Sequence, residues 1–323
     1  MAKKNLSLAL QGGGSFGAFT WGVLDRLLEQ SSIAIDMVSG ASIGAVNAVI
    51  LADGLAEGGP AAARERLERF WTRVSDPSPF GPFGLTSATI AALELSTRVF
   101  SPYQFNPLGL NPLRQILDEE VDFARLRRAS PVRLLVAATR VKDGRLRLFR
   151  NDEITLDAVL ASACLPLLHH AVEIEGESYW DGGYSANPPL RQLVIDSKAD
   201  DIVVVQITPQ KRDGVPHLSP DIVRRVNQIT FNSLLQKEIE ALVDLVELCK
   251  KERIFRSRCC RKLQRLRLHF IAAEHVEGLP QANALDLARP FLSRLKESGR
   301  EAAEDWVKAE FADPQSADTS VAA

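Results

Sequence analysis

Apolar positions cluster early in the chain. Leu6, Leu8, Ala9 and Leu10 form a short apolar run that stops at Gln11-Gly12-Gly13-Gly14. Phe16, Phe19, Val23, Leu24, Leu27 and Leu28 then recur near period 3.6, which predicts a helix. Asp36-Met37-Val38-Ser39-Gly40 predicts a second strand beginning at Asp36, and residues 43–52 predict a second, small and apolar helix. Strand, glycine turn and helix, given twice in succession, predict a parallel α/β sheet.

Further along, residues 61–75 carry an amphipathic helical pattern. Residues 77–107 change character: prolines alternate with Phe80, Phe83, Phe100, Tyr103 and Phe105, a composition too apolar for a solvated linker. This stretch is expected to be a loop-rich insertion that either lines an acyl channel or packs as a satellite cluster. Strand patterns return at 133–141 and 145–149, joined by Lys142-Asp143-Gly144, a hairpin turn signal. A short helix over 155–164 stops at Pro166, and residues 171–180 read as a hairpin turning at Gly176. Residues 201–208 give a buried strand, 219–250 a long helix opened by Ser219-Pro220-Asp221, 266–272 a last strand and 290–311 a last helix. The expected organisation is one domain over 1–312 with a helical C-terminal part from 219, followed by a disordered tail at 313–323. No internal repeat is visible.

Composition narrows the class. Of 323 residues 46% are apolar and 25% charged, ordinary for a globular chain, and the net charge of −2 gives no global basic field for nucleic acid. Cys164, Cys249, Cys259 and Cys260 form neither a metal-site spacing nor a disulfide framework, which favours a reduced setting. The basic and apolar start is broken by Gln11 and the glycines, so it reads as a strand rather than a signal peptide. No apolar stretch reaches the roughly 18 residues of a membrane span. A cytoplasmic or membrane-peripheral location is the expectation.

Gly40-Ala41-Ser42-Ile43-Gly44 is G-x-S-x-G between a predicted strand and a predicted helix. That context makes Ser42 a candidate nucleophile on a sharp turn, with the helix start supplying N–H groups near a developing oxyanion. Gly12-Gly13-Gly14-Ser15-Phe16-Gly17 is G-x-G-x-x-G after the first strand. It is either a dinucleotide cradle or an oxyanion loop whose N–H groups converge beside Ser42. The first needs an acid at the end of the second strand, and Asp36 begins that strand. The second suits two neighbouring parallel strands ending at one edge. Asp181-Gly182-Gly183 follows a strand end and fits a turn cap equally well, but a serine hydroxyl needs a base. His269 and His275 offer a rival base in Ser-acid-His order, although an elbow with one strand before it is unlike an α/β-hydrolase. His169-His170 have no direction fixed by sequence.

Taken together, Gly12 to Gly17, Gly40 to Gly44 and Asp181-Gly182-Gly183 resemble the three motifs of bacterial patatin-like phospholipases, in order. Ala161-Ser162-Ala163-Cys164-Leu165-Pro166 and Asn187-Pro188-Pro189 accompany them. The resemblance is firm over about 5–210 and looser beyond. It implies a three-layer α/β/α sandwich with a mainly parallel sheet, and a serine-dependent lipid acyl hydrolase of phospholipase A, lysophospholipase or esterase type. It further implies a Ser42–Asp181 dyad with Gly12, Gly13 and Gly14 as oxyanion donors, no metal and no organic cofactor. No calcium-loop motif is present. Gly183 stands where many members carry alanine, and Ala41 where threonine is frequent. Acyl transfer or thioester hydrolysis through the same acyl-serine stays open, as does a non-catalytic dinucleotide-binding module. Between residues 250 and 267 nine basic side chains face only Glu252, a run able to contact an anionic membrane or to form a solvated helix face.

Overall fold

The computed structural model describes residues 3–76, 96–97, 99–251 and 257–312. Strand β1 (Lys4–Leu10) leads through the glycine loop into helix α1 (Gly17–Leu28), and β2 (Ile33–Ala41) leads through Ser42 into α2 (Ile43–Val74). The two helical stretches expected here run together, meeting at a kink where Gly58 and Gly59 leave helical geometry just before Pro60. Strand β2 starts three residues earlier than expected, so Asp36 lies inside it. Short helices α3 (Pro102–Phe105), α4 (Pro112–Glu120) and α5 (Phe123–Ala129) precede β3 (Arg133–Arg140) and β4 (Leu146–Arg150), which pair antiparallel as the Asp143-Gly144 turn signals. Next come α6 (Leu156–Ser162), capped by the Thr155 side chain, and the hairpin of β5 (Val172–Ile174) with β6 (Glu177–Asp181). Helix α7 (Leu190–Asp196), β7 (Asp201–Gln206), α8 (Ser219–Lys251), α9 (Arg258–Arg265), β8 (Arg267–Ala272) and α10 (Arg289–Ala312) complete the chain. Most of the proposed insertion, residues 77–95 and 98, and the tail 313–323 lie outside the described residues.

The strands join in the order β5-β6-β3-β2-β1-β7-β8, with β4 also on β3. From β3 to β8 the sheet is parallel, and β4, β5 and β6 add antiparallel pairs at one side. Alternation along the central strands builds two cores. Leu8, Leu10, Val38 and Val203 face α1, α2 and α10, while Ala9, Met37, Ile202 and Val204 face α7 and α8. A sheet covered on both faces needs strands apolar at nearly every position, which is why β7 reads Ile-Val-Val-Val with no polar alternation. The result is a mixed α/β sandwich around a mostly parallel sheet. Strand order reverses at β1, between β2 and β7, and the crevice at the carboxyl ends of strands at such a switch point is where open α/β sheets hold their ligands.

Candidate active site

Ser42 stands at that switch point, immediately after β2. Its backbone has φ 53° and ψ −131°, a left-handed value that a non-glycine residue adopts only under local constraint. The constraint is visible. Ser42 N–H donates to the Ser162 carbonyl and to Ser162 Oγ, both at 3.1 Å, while Ala45 and Val46 N–H donate back to the Ser42 carbonyl at 2.9 and 3.1 Å. Gly44 packs so closely under the turn that a Cβ there would lie 2.2 Å from the Leu10 carbonyl oxygen. Gly40 meets the first turn of α2 in the same way, and Gly17 lies against Ile43. The elbow is therefore pressed between β1, α1 and α6.

The glycine loop lies alongside. A Cβ on Gly12 would come within 2.8 Å of Ser42 Cβ, so the two turns are in direct contact. Gly12 N–H donates to Asn187 Oδ1 at 2.7 Å, and its carbonyl accepts from Asn187 Nδ2 and the Thr208 hydroxyl. That N–H is thereby engaged with Asn187. Gly13 and Gly14 follow, with Gly14 at φ 59°, and Ser15 N–H anchors the loop to the Ala284 carbonyl at 2.8 Å. Beneath the loop, buried Gln11 accepts from Ile207 and Thr208 N–H at 2.8 and 2.9 Å and donates to Asn232 Oδ1 at 2.9 Å. One side chain thus satisfies the backbone where β1 and β7 end.

Asp181 closes β6 and is wholly buried. Its N–H donates to the Cys164 carbonyl, and its Oδ1 accepts Gly183 N–H at 2.7 Å. The Ser42 hydroxyl lies near enough to act on the carboxyl, yet among the described residues no group reaches Oδ2 with full hydrogen-bond geometry. Burial pushes the Asp181 pKa up to about 7, opposed by the Ser42 hydroxyl and the Gly183 N–H. The same desolvation, with the Asp181 charge adding to it, raises the neighbouring Cys164 thiol and Tyr184 phenol to about 12 each. Gly182 sits against the Ala137 carbonyl and Gly183 against the Phe231 ring, so both glycines hold Asp181 close to β3 and α8.

The remaining sequence candidates lie elsewhere. His269 Nε2 is 2.7 Å from Asp201 Oδ1 and its Nδ1 3.5 Å from Glu310, so it is engaged with the first residue of β7. Asp201, His269 and Glu310 could together hold a cation, but Lys4 and Arg267 already occupy the carboxylates. His170 stacks on Tyr103, with ring centroids 4.2 Å apart, and burial lowers the pKa of His169. Asp36, the acid a dinucleotide cradle would need, is tied to Arg133 and to Lys198 N–H inside β2. The described part of the basic run sits at the opposite edge of the sheet from Ser42: Arg267 pairs with Asp201, Arg265 with Asp200, and Lys262 with the carbonyls ending α7.

Residues 8–194 match the model of the family described as patatin-like phospholipase. The chain belongs to this family. Membership supports lipid acyl hydrolysis in general. A curated relative, the uncharacterized protein YjjU of Escherichia coli (strain K12), is 26% identical over 246 residues, which cover 75% of this chain and 60% of that protein. The chain thus spans less than two thirds of that relative's length. Among solved structures, VipD from Legionella pneumophila aligns with TM-score 0.45 and 16% identity, covering 96% of this chain and 67% of that one. ExoU in its complex with SpcU, from the type III secretion system of Pseudomonas aeruginosa, aligns with TM-score 0.45 and 14% identity, covering 96% and 52%.

Proposed function

We propose that this chain is a serine-dependent carboxylic ester hydrolase acting on lipid acyl esters through an acyl-enzyme on Ser42, with Asp181 as its base. The observation that carries the reading is the buried Asp181 carboxyl, with one oxygen unpaired and its pKa near neutrality, facing a serine in a strained strand-to-helix turn. An aspartate at its ordinary pKa is a poor acceptor for a serine proton, and burial removes that difficulty.

Ser42 Oγ attacks the ester carbonyl while its proton passes to Asp181. The oxyanion is met by the N–H groups of Gly13 and Gly14, with the start of α2 adding its dipole. Collapse of the tetrahedral intermediate breaks the ester bond, and Asp181 returns the proton to the leaving alcohol. Asp181 then takes a proton from water as it attacks the acyl-serine, and in the second collapse it gives that proton to Ser42 Oγ as the Oγ–carbon bond breaks and the acid leaves. Gly12 has a different part: it lets the loop touch Ser42 and is itself held by Asn187.

Fluorophosphonate labelling, with hydrolysis of a soluble p-nitrophenyl ester and of a phospholipid and lysolipid panel, tests the reading. The wild type should label at Ser42 and release fatty acid. Ser42→Ala should do neither, and Asp181→Asn should retain the fold and lose turnover. Full activity of Asp181→Asn, or an unlabelled wild-type Ser42, would overturn it.

A further inference from the structure

The end of helix α8 meets the start of α9, and the junction brings two thiols together. Cys249 Sγ, buried near the end of α8, lies 2.8 Å from Cys260 Sγ in the first turn of α9. The backbone on both sides is held without help from the sulfurs. Gln264 Nε2 donates to the Cys249 carbonyl at 2.6 Å, and the Ser257 hydroxyl caps α9 by accepting the Cys260 N–H at 3.1 Å. Cys249 shares the core on the α7–α8 face of the sheet with Val246, Leu263 and Leu266, and the half-exposed Cys260 packs against that core. The proposed hydrolysis uses neither thiol.

The other two cysteines do not compete for this pairing. Cys259 is exposed, and as the residue next to Cys260 its Cα lies about 3.8 Å away, closer than the roughly 4.4–6.8 Å an ordinary disulfide spans. Successive side chains on a helix also point about 100° apart. Cys164 is buried beside Asp181, and its thiol donates to the His170 carbonyl at 3.0 Å. Burial pushes that thiol up to about 12, and the protonated form is not a nucleophile. Cys260 is thus the member of the pair that a reagent in solution reaches, and Cys249 stands behind it.

We propose that Cys249 and Cys260 are a redox modification site, closing to an intramolecular disulfide on reaction with a low-molecular-weight disulfide such as oxidised glutathione. The Cys260 thiolate attacks one sulfur of the oxidant, forming a mixed disulfide and releasing one thiol. The Cys249 thiolate then attacks the Cys260 sulfur, forming the internal S–S bond and releasing the second thiol. Two cysteines are oxidised, the oxidant is reduced to two thiols, and the two cysteine protons end on those thiols. The bond closes a loop across eleven positions and ties α8 to α9, which leads into edge strand β8. Helix α8 also carries Asn232, which accepts from Gln11 beneath the glycine loop, and Phe231, whose ring lies against Gly183. The cross-link therefore braces the helix that backs the candidate site. It does so whether or not the chain hydrolyses lipids.

The test incubates the full chain with oxidised glutathione or with dithiothreitol, then alkylates it, digests it with trypsin and maps the peptides by mass spectrometry. Thermal unfolding is measured on the same two samples. Oxidation should join peptide 238–250 to peptide 259–261 through Cys249 and Cys260, with Cys259 outside the bond. It should raise the unfolding midpoint by about 5 °C, and dithiothreitol should reverse both changes. Cys259→Ser should keep the joined peptide and the shift. Cys260→Ser and Cys249→Ala should lose both, and because each variant is compared with itself under the two conditions, a general loss of stability does not enter. A bond through Cys259, glutathione adducts without an internal bond, or cross-links formed only between chains would overturn the proposal. An internal bond that leaves the midpoint unchanged would overturn the brace.

Discussion

Asn187 Oδ1 accepts the Gly12 N–H at 2.7 Å, joining the loop after Asp181 to the loop before Ser15 across 175 residues of sequence. Its amide also donates to the Gly12 and Phe231 carbonyls, so a single buried side chain holds the glycine loop, the Asp181 turn and α8 together. Asn187→Ala leaves the buried Gly12 N–H without its acceptor, while the Gly12 carbonyl keeps the Thr208 hydroxyl. That loss costs about 1–3 kcal/mol, and the glycine loop loses its fixed position. Steady-state kinetics on a soluble ester should show kcat reduced by up to about 100-fold with KM nearly unchanged. An equal loss confined to KM would mean that Asn187 orders substrate binding rather than the loop.

Asp181 gives a pH signature with a definite sign. Its folded pKa is raised to about 7, above the unfolded value near 3.9, so the carboxylate form is penalised in the native state. Stability from this group is therefore highest at acid pH, falls as pH rises from about 4 and reaches its full penalty above about 7. Asp181→Asn removes the penalty while its amide oxygen can still accept the Gly183 N–H. Urea unfolding should find the variant stabilised, by roughly 2 kcal/mol more at pH 8 than at pH 5. In the wild type, kcat/KM should rise with pH through about 7. A flat profile across that range would remove Asp181 as the base.

The contrast between Ser42 and Asp181 explains what the sequence discloses. Ser42 is legible because its environment is local: β1, its glycines, β2 and the start of α2 lie within about fifty residues and each carries its own signal. Asp181 before two glycines suits a turn cap, and it does bond Gly183 N–H as a cap would. What marks it chemically is burial by segments far apart in sequence, which no local pattern encodes. Gln11 and Asn187 are hidden for the same reason, since their partners lie 44 to 221 positions away. Gly12 looks like Gly13 and Gly14 in sequence, and only the position of Asn187 sets its N–H apart. Other features are local: Asn111-Pro112 and Asp122 are ordinary helix starts whose side chains cap α4 and α5. The 43–52 and 61–75 patterns are two helical stretches, as expected: Gly58 and Gly59 leave helical geometry between them, just before Pro60.

Gly44 and Gly144 separate close packing from backbone freedom. A Cβ on Gly44 would meet the Leu10 carbonyl oxygen at 2.2 Å and the Gln11 carbonyl oxygen at 2.9 Å, backbone atoms that cannot rotate away. Gly144 has φ 70° in the β3–β4 turn with open space around it. Gly144→Ala should cost about 1–2 kcal/mol from left-handed strain alone and leave turnover unchanged. Gly44→Ala should exceed about 3 kcal/mol and abolish labelling of Ser42, because strand and helix must separate at the elbow. Thermal unfolding and fluorophosphonate labelling of the two variants give the comparison.

Beside the sheet, Asp53 of α2 is completely buried and accepts two bonds from Arg125, at 2.9 and 2.8 Å, with Arg66 at 2.9 Å. Arg66 also reaches Glu57 and the Glu120 carbonyl, so the cluster ties the middle of α2 to α4 and α5. Two guanidinium groups converging on one carboxylate are tolerable only while that carboxylate is present. Asp53→Ala takes both short bonds from Arg125 and one from Arg66, which keeps Glu57, and should destabilise the chain by about 3 kcal/mol. Replacing all three residues by apolar side chains of similar volume should cost much less, because the desolvation penalty disappears with the charges. Guanidinium unfolding of the single and triple variants decides the matter: a triple variant as unstable as Asp53→Ala would mean that the ion cluster itself, rather than the avoidance of unpaired charge, holds α2 to its neighbours.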